Sequence, residues 1–241
     1  MIKIKFSQSN EWGIVMKKRL LFLLALTLTA FTSKSAQADH QYFSGMAGIS
    51  WIPSIHINNT NSSFDYMDHY SLKPTAALSG AIGYNFGNYR LEGEIGYQKN
   101  NFKSVVFSGT DEHGAPFSDA SYPMKGDVSV ISLMANGYYD FKLGSNINIY
   151  AMAGAGGANV SFNNVAMASD NYVNNINAMS LAYQVGVGVT KPITDHILLD
   201  LRYRYFKTSD MTVNWDYKGN DFNNNTAINT HSVLLGMRFE L

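Results

Sequence analysis

From residue 43 onward the chain alternates apolar and polar side chains with a period of two, the spacing of a β-strand with two unlike faces. Eight segments show it. The first carries Phe43, Gly45, Ala47, Ile49 and Trp51 on its apolar side, and the second Ala76, Leu78, Gly80, Ile82, Tyr84 and Phe86. The third sets Tyr89, Leu91, Ile95 and Tyr97 against Arg90, Glu92, Glu94 and Gln98; the fourth sets Ile131, Leu133, Ala135, Tyr139 and Phe141 against Ser132, Asn136, Tyr138 and Asp140. In the fifth, Ile147, Ile149, Ala151, Ala153 and Ala155 oppose Asn148, Tyr150, Gly154 and Gly156; in the sixth, Leu181, Tyr183, Val185, Val187 and Val189 oppose Gln184, Gly186, Gly188 and Thr190. The seventh pairs Ile197, Leu199, Leu201, Tyr203 and Tyr205 with Asp200, Arg202 and Arg204. The last places Val233, Leu235, Met237, Phe239 and Leu241 on one face and Gly236, Arg238 and Glu240 on the other. So regular a terminal strand would be an aggregating edge in a soluble sheet. It fits the closing strand of a barrel, with lipid outside and a polar lumen within.

The connections alternate as strictly as the side chains. After strands two, four and six they are tight: Gly87-Asn88, Lys142 to Asn146, and Pro192 to Asp195. After strands one, three, five and seven they are long, from about Ile52 to Leu72, Lys103 to Gly126, Asn163 to Ala178 and Ser209 to Asn229. Short turns at one end and long loops at the other are the asymmetry of outer-membrane barrels. Tyr84, Phe86, Tyr89, Tyr139, Phe141 and Phe239 fall near the short-turn end, whereas Trp51, Tyr97, Tyr183, Tyr203 and Tyr205 lie mid-strand or nearer the loops, as two interfacial girdles would. The predicted fold is all-β, an eight-stranded antiparallel up-and-down transmembrane β-barrel. Asparagine crowds the long connections at 58–61, 163–164, 171–177 and 220–225, and reads as solvated loop.

The amino-terminal region places this barrel in a compartment. Met16-Lys17-Lys18-Arg19 precedes an apolar run from Leu20 to Ala30 and an A-x-A site at Ala36-Gln37-Ala38, the anatomy of a secretory signal. The expected division is a signal peptide over 1–38, with Met16 the expected start and cleavage after Ala38, and a barrel domain over 39–241. Residues 1–38 hold six of the 18 basic residues and one of the 18 acids, so 39–241 carries 12 basic against 17 acidic, a net of −5. That balance argues against nucleic acid as a partner. Cysteine is absent, which removes disulfides and thiolate metal sites. No stretch after residue 38 has the roughly 20 apolar residues of a membrane helix, so any crossing is made by strands.

The strongest chemical constellation is the charge on the inward faces: Arg90, Arg202, Arg204 and Arg238 with Glu92, Glu94, Asp140, Asp200 and Glu240. An eight-stranded barrel is only wide enough to be filled by side chains, so these groups are expected to pair. The network reads either as a salt-bridge plug or as a switchable gate to a thin ion path. Six dispersed histidines (His40, His56, His69, His113, His196, His231) show no metal-site spacing. His113, Ser118 and Asp119 could be assembled into a triad, but no nucleophile-elbow motif accompanies them. No enzyme activity, catalytic residue, cofactor or metal is expected.

The segments Tyr42-Phe-Ser-Gly-Met-Ala-Gly-Ile-Ser50, Ala151-Met-Ala-Gly-Ala-Gly-Gly157, Tyr183-Gln-Val-Gly-Val-Gly-Val189 and the close from His231 to Leu241 resemble the small outer-membrane barrels of the OmpA-like transmembrane type, surface antigens and porin-family proteins of Gram-negative bacteria. The resemblance runs from about Gln41 to the end. Two positions depart from it: the assembly signal usually ends on an aromatic and has a polar residue two before the glycine, where this chain has Leu241 and Leu234. What it implies is a monomeric outer-membrane surface antigen or adhesin with four extracellular loops. Its partners would be outer-membrane lipid and lipopolysaccharide, the barrel-assembly machinery, and a host surface ligand at the loops. A narrow porin-like channel for ions or small solutes is the alternative. A soluble lipocalin-like carrier is the third reading, and it requires the apolar faces inward with Arg90, Glu92, Arg202 and Arg204 outward.

Overall fold

A computed structural model describes residues 40–241 except 54, 62–63, 111–115, 119–120, 143–146, 168–173 and 218–219. The expected signal segment, the tip of the second short turn, His113 and Asp119 lie outside the described residues. Thirteen strands follow in order: β1 (His40–Trp51), β2 (Ile55–Asn61), β3 (Phe64–Lys73), β4 (Thr75–Asn85), β5 (Tyr89–Thr110), β6 (Pro116–Ser118), β7 (Tyr122–Lys142), β8 (Asn148–Met167), β9 (Asn174–Pro192), β10 (Ile197–Thr208), β11 (Met211–Tyr217), β12 (Asn220–Thr226) and β13 (Asn229–Glu240).

Eight of them close a ring, β1-β4-β5-β7-β8-β9-β10-β13, every neighbour antiparallel. Closure is the pairing of β1 with β13, from Tyr42 opposite Glu240 to Trp51 opposite His231. The backbone of Leu241 then donates to the Gln41 carbonyl at 2.9 Å. The turn after β4 shows why the sequence reverses there. Gly87 takes φ 93, the positive angle that the first position of a type II′ turn asks for, and its N–H donates to Asn85 Oδ1 at 3.0 Å.

Burial is inverted relative to a soluble protein. Ile95 is 60 % exposed and the other outward apolar side chains of the ring are exposed with it, whereas Arg90, Glu94 and Arg202 are at most 1 % exposed. Apolar groups outside and charge inside exclude the lipocalin arrangement, which needs the reverse. The outward apolar belt runs from Tyr89 to Tyr97 on β5 and from Ile131 to Phe141 on β7, the 9–11 residues of a tilted membrane strand. Aromatic contacts gather at both margins of the belt. Near the short turns Phe43 stacks on Phe239 at 4.7 Å, and Tyr139 meets Tyr89 at 5.0 Å and Phe141 at 4.7 Å. Near the long connections His231 lies 5.6 Å from Trp51 and 5.2 Å from Tyr205, and its Nδ1 is 2.6 Å from Tyr203 Oη.

The long connections are less coil-like than the sequence suggests. β5 continues to Thr110 and β7 begins at Tyr122, so much of 103–126 is paired strand; β8 and β9 extend likewise through 163–167 and 174–178. The stretch 52–72 contains the β2–β3 hairpin, joined to β5 through β3, and 209–229 contains the separate β11–β12 hairpin. Asparagine tracts at 58–61, 174–177 and 220–225 fall within these strands rather than in solvated coil.

The strands persist because alternation persists with its polarity exchanged. Above Ile131 the outward positions of β7 become Ser129 and Asp127, while the inward ones become Val130 and Val128. On β8 the outward residues become Asn159 and Ser161, and Val160 and Phe162 turn inward. No residue is inserted at the crossover, and β7 and β8 stay in register from Val130 opposite Val160 to Lys142 opposite Asn148. The lower part is built for lipid outside; the upper part is built for water outside, around a core of its own.

Candidate functional site

The inward face has two storeys. The lower one, within the belt, collects the charged groups. Arg90 donates from Nε to Asp140 Oδ2 at 2.6 Å and from Nη2 to Oδ1 at 3.0 Å, a two-point guanidinium–carboxylate pair. Its guanidinium lies between two rings, 4.2 Å from the centroid of Tyr138 and 4.9 Å from that of Tyr150. Glu94 is the hub: Oε2 accepts from Arg202 Nη1 at 3.1 Å, and Oε1 accepts from Arg204 Nη1 at 3.1 Å and Gln184 Nε2 at 3.2 Å. Asp200 accepts from Tyr150 Oη at 2.6 Å and stands 3.7 Å from Arg202 Nη2.

Two predicted members stand apart from the tight pairs. Glu92 has no guanidinium within 4.0 Å among the described residues. It accepts instead from Tyr138 at 2.5 Å, Tyr42 at 3.0 Å and Asn136 at 3.4 Å. Arg238 reaches Glu240 only at 3.6 Å near the short-turn mouth, and its Nε and Nη1 have no hydrogen-bond partner. Its guanidinium lies 5.4 Å from the Tyr42 ring centroid.

The residues that charge counting left out are the aromatic and amide members. Tyr42 accepts from Arg90 and donates to Glu92, Tyr150 accepts from Arg202 and donates to Asp200, Tyr138 donates to Glu92, and Gln184 links Glu94 to Asn136, which it meets at 2.7 Å. Their inward parity was readable; that a Tyr ring would lie over the neighbouring strand was not. The room for it comes from glycine at the paired position of the adjacent strand, since a Cβ at Gly83 or Gly188 would strike the ring of Tyr42 or Tyr150. Above Glu94 the polarity falls, through Gln98 bonded by Ser50 at 3.4 Å and Thr230 at 3.2 Å.

The upper storey is apolar. Phe102, Val105, Val128, Val130, Phe162 and Phe206 form one buried cluster with other inward groups of the extended strands, and Tyr70 on β3 meets Phe102 edge-on at 5.9 Å. An apolar lining of this kind disfavours a continuous water path. Reconstituted in a planar bilayer, the protein is expected to be electrically silent at moderate voltage; a stable ohmic conductance altered by charge reversal at Arg90 or Glu94 would show that the lumen is open.

A closed ring whose apolar belt faces out and whose charges face in belongs in a membrane, and the sequence comparison names its kind. Residues 21–239 match the family model described as "Outer membrane protein beta-barrel domain". The chain belongs to this family. Its location is therefore the bacterial outer membrane, where the belt contacts lipid and, on the loop side, lipopolysaccharide. PagN, an outer membrane protein of Salmonella typhimurium (strain LT2), is 25% identical over 235 residues, covering 88% of this chain and 94% of its own. A Rickettsia bellii (strain RML369-C) protein named "Putative adhesin" is 25% identical over 244 residues, covering 93% of this chain and all of its own (100%). Among solved structures, the outer membrane protein OprG of Pseudomonas aeruginosa superposes with a TM-score of 0.51 at 13% identity, over 84% of this chain and 95% of its own; that likeness concerns the fold alone.

Proposed function

We propose that this protein is a non-catalytic surface adhesin whose binding surface is the tip of the upper storey. The observation that carries the reading is the exchange of polarity above the belt. A barrel needing only flexible loops would not continue β5, β7, β8 and β9 as paired strands around a second apolar core. A rigid support lowers the ordering cost of binding at its tip. The name of the relative from Rickettsia bellii points the same way.

In this reading the charged lower storey is a structural plug, and the groups Arg90, Glu92, Glu94, Asp140, Asp200, Arg202, Arg204, Arg238 and Glu240 hold the barrel rather than contact a ligand. The protein is inserted by the barrel-assembly machinery despite Leu234 and Leu241, and it acts as a monomer, since the ring leaves no strand edge within the membrane. Inward-facing Leu234 has a packing role, with Met46 and Ala77.

Display of the protein on a non-adherent Gram-negative strain is expected to raise binding to cultured epithelial cells about tenfold, the gain that a contact worth about 1.4 kcal/mol supplies. Replacing the β11–β12 hairpin, residues 211–226, with a short Gly-Ser turn is expected to return binding to background while surface expression persists. Unchanged adhesion on display of the intact protein would reject the reading.

A further inference from the structure

The histidines are dispersed along the chain, and the fold brings two of them together. β2 and β3 pair antiparallel with His56 directly opposite His69, between Ile55 opposite Tyr70 and Ile57 opposite Asp68. Residues directly opposed in an antiparallel pair share one face of the sheet, with Cβ atoms about 4.5–5.5 Å apart. No spacing rule along the chain finds such a pair, because the length of the turn between two strands is free to vary.

The face they share is the outer one. Tyr70 and Leu72 on β3 pack into the apolar core, and Tyr70 pairs with buried Val105 on β5. By strand alternation His69 falls on the opposite face, half-buried and opposite Val106. The β2–β3 register carries His56 to that same face, with Asn58 opposite Met67 as the next pair along it. Because β3 is tied to the barrel through β5, the two positions sit on a supported ladder rather than on free coil. The stretch 52–72 carries Asp65 and Asp68 and no Lys or Arg, a formal charge of −2 that favours a cation in the water above the belt.

Neutral imidazole is a metal ligand through either ring nitrogen. Two nitrogens bound to a tetrahedral ion at about 2.0–2.1 Å lie roughly 3.3 Å apart, a little less than the separation of opposed Cβ atoms, so a cross-strand histidine pair matches a two-point chelate. Imidazole suits Zn²⁺, Cu²⁺ and Ni²⁺, whereas Ca²⁺ and Mg²⁺ take oxygen ligands. We propose that His56 and His69 form a two-histidine site for a late first-row divalent ion such as Zn²⁺, with water completing its shell. A bound ion clips β2 to β3 along their ladder. The site lies on a different hairpin from the β11–β12 surface and does not rest on the adhesive reading.

The test titrates untagged protein, refolded in phosphatidylcholine nanodiscs and stripped with chelator, with ZnCl₂ by calorimetry. Wild type is expected to take up a single Zn²⁺. H56Q and H69Q are each expected to lose at least about tenfold in affinity, the lower end of what removing a group that merely supports a ligand costs. H196Q and H231Q are expected to bind as wild type. The clip itself gives a second readout: at Zn²⁺ about ten times its dissociation constant, chymotrypsin cleavage at Phe64 and Tyr66 is expected to slow about elevenfold in the wild type and to stay unchanged in H56Q. Heat-modifiable gel mobility reports folding, and either single variant serves should the other fail to fold. No Zn²⁺ uptake by the wild type, unchanged affinity in H56Q and H69Q, equal loss in H196Q or H231Q, or equal binding of Ca²⁺ and Mg²⁺ would each overturn the assignment, the last by showing an oxygen-ligand site at Asp65 and Asp68.

Discussion

Replacing Glu94 by glutamine is expected to destabilise the folded barrel by about 3–5 kcal/mol, the cost of removing one partner from a buried ion pair. The substitution keeps the shape and removes one charge. Arg202 and Arg204, at side-chain exposures of 1% and 3%, would then share a lumen without the carboxylate that both meet at 3.1 Å. Asp200 relieves part of this for Arg202 at 3.7 Å, but Arg204 has no second carboxylate within 4.0 Å among the described residues, and its Nε is already without a hydrogen-bond partner. The measurement is the urea midpoint of the heat-modifiable band after refolding into lipid. A triple variant, Glu94→Leu with Arg202→Met and Arg204→Met, is expected to recover most of the loss, because a filled apolar cluster does without both desolvation and pairing. A shift below about 1 kcal/mol for Glu94→Gln, the scale of an exposed pair, would mean that water reaches and screens this layer.

That layer shows how far the sequence could be read. Period-two alternation gave the phase of every ring strand, because a slip of one residue would have turned Arg202 or Glu94 into lipid. It also gave the even strand number and the side of the short turns. Which charges meet was not legible. Glu94 and Arg204 are 110 positions apart and meet only because the ring brings β5 and β10 across one lumen. Glu92, two residues away and equally inward, is satisfied by tyrosines instead, for which charge matching offers no signal.

The upper storey was missed for a different reason. Phe102, Val128, Val130, Val160 and Phe162 alternate as regularly as the belt residues, but with apolar groups on the inward parity. A reading that defines strand by apolar-outward stops counting at Tyr97 and Ile131 and assigns the remainder to loop. The signal was present at Asp127-Val-Ser-Val-Ile131, where polar and apolar positions exchange faces without a change of period. Strand and loop differ in backbone pairing; lipid and water differ only in which face is apolar.

If the two storeys have separate cores, they should fail separately, and Phe102→Ala is expected to open the upper one alone. Phe102 is 6 % exposed and is the ring against which Tyr70 packs, so truncation leaves a cavity where the β2–β3 hairpin is tied to β5. A buried Phe→Ala change costs about 3–5 kcal/mol. Where cleavage follows the population of the open form, that cost raises trypsin cutting at Lys103 and Lys125 by roughly a hundredfold or more. The ion-paired storey below does not contain Phe102, and its hydrogen bonds link different side chains, so the heat-modifiable mobility and urea midpoint of the barrel should move by less than about 0.5 kcal/mol. Adhesion should fall with the cleavage phenotype rather than with barrel stability, because the proposed surface stands on the upper core. Parallel loss of barrel mobility would show one cooperative unit, and unchanged proteolysis would show that the upper strands are held by backbone pairing without help from their core.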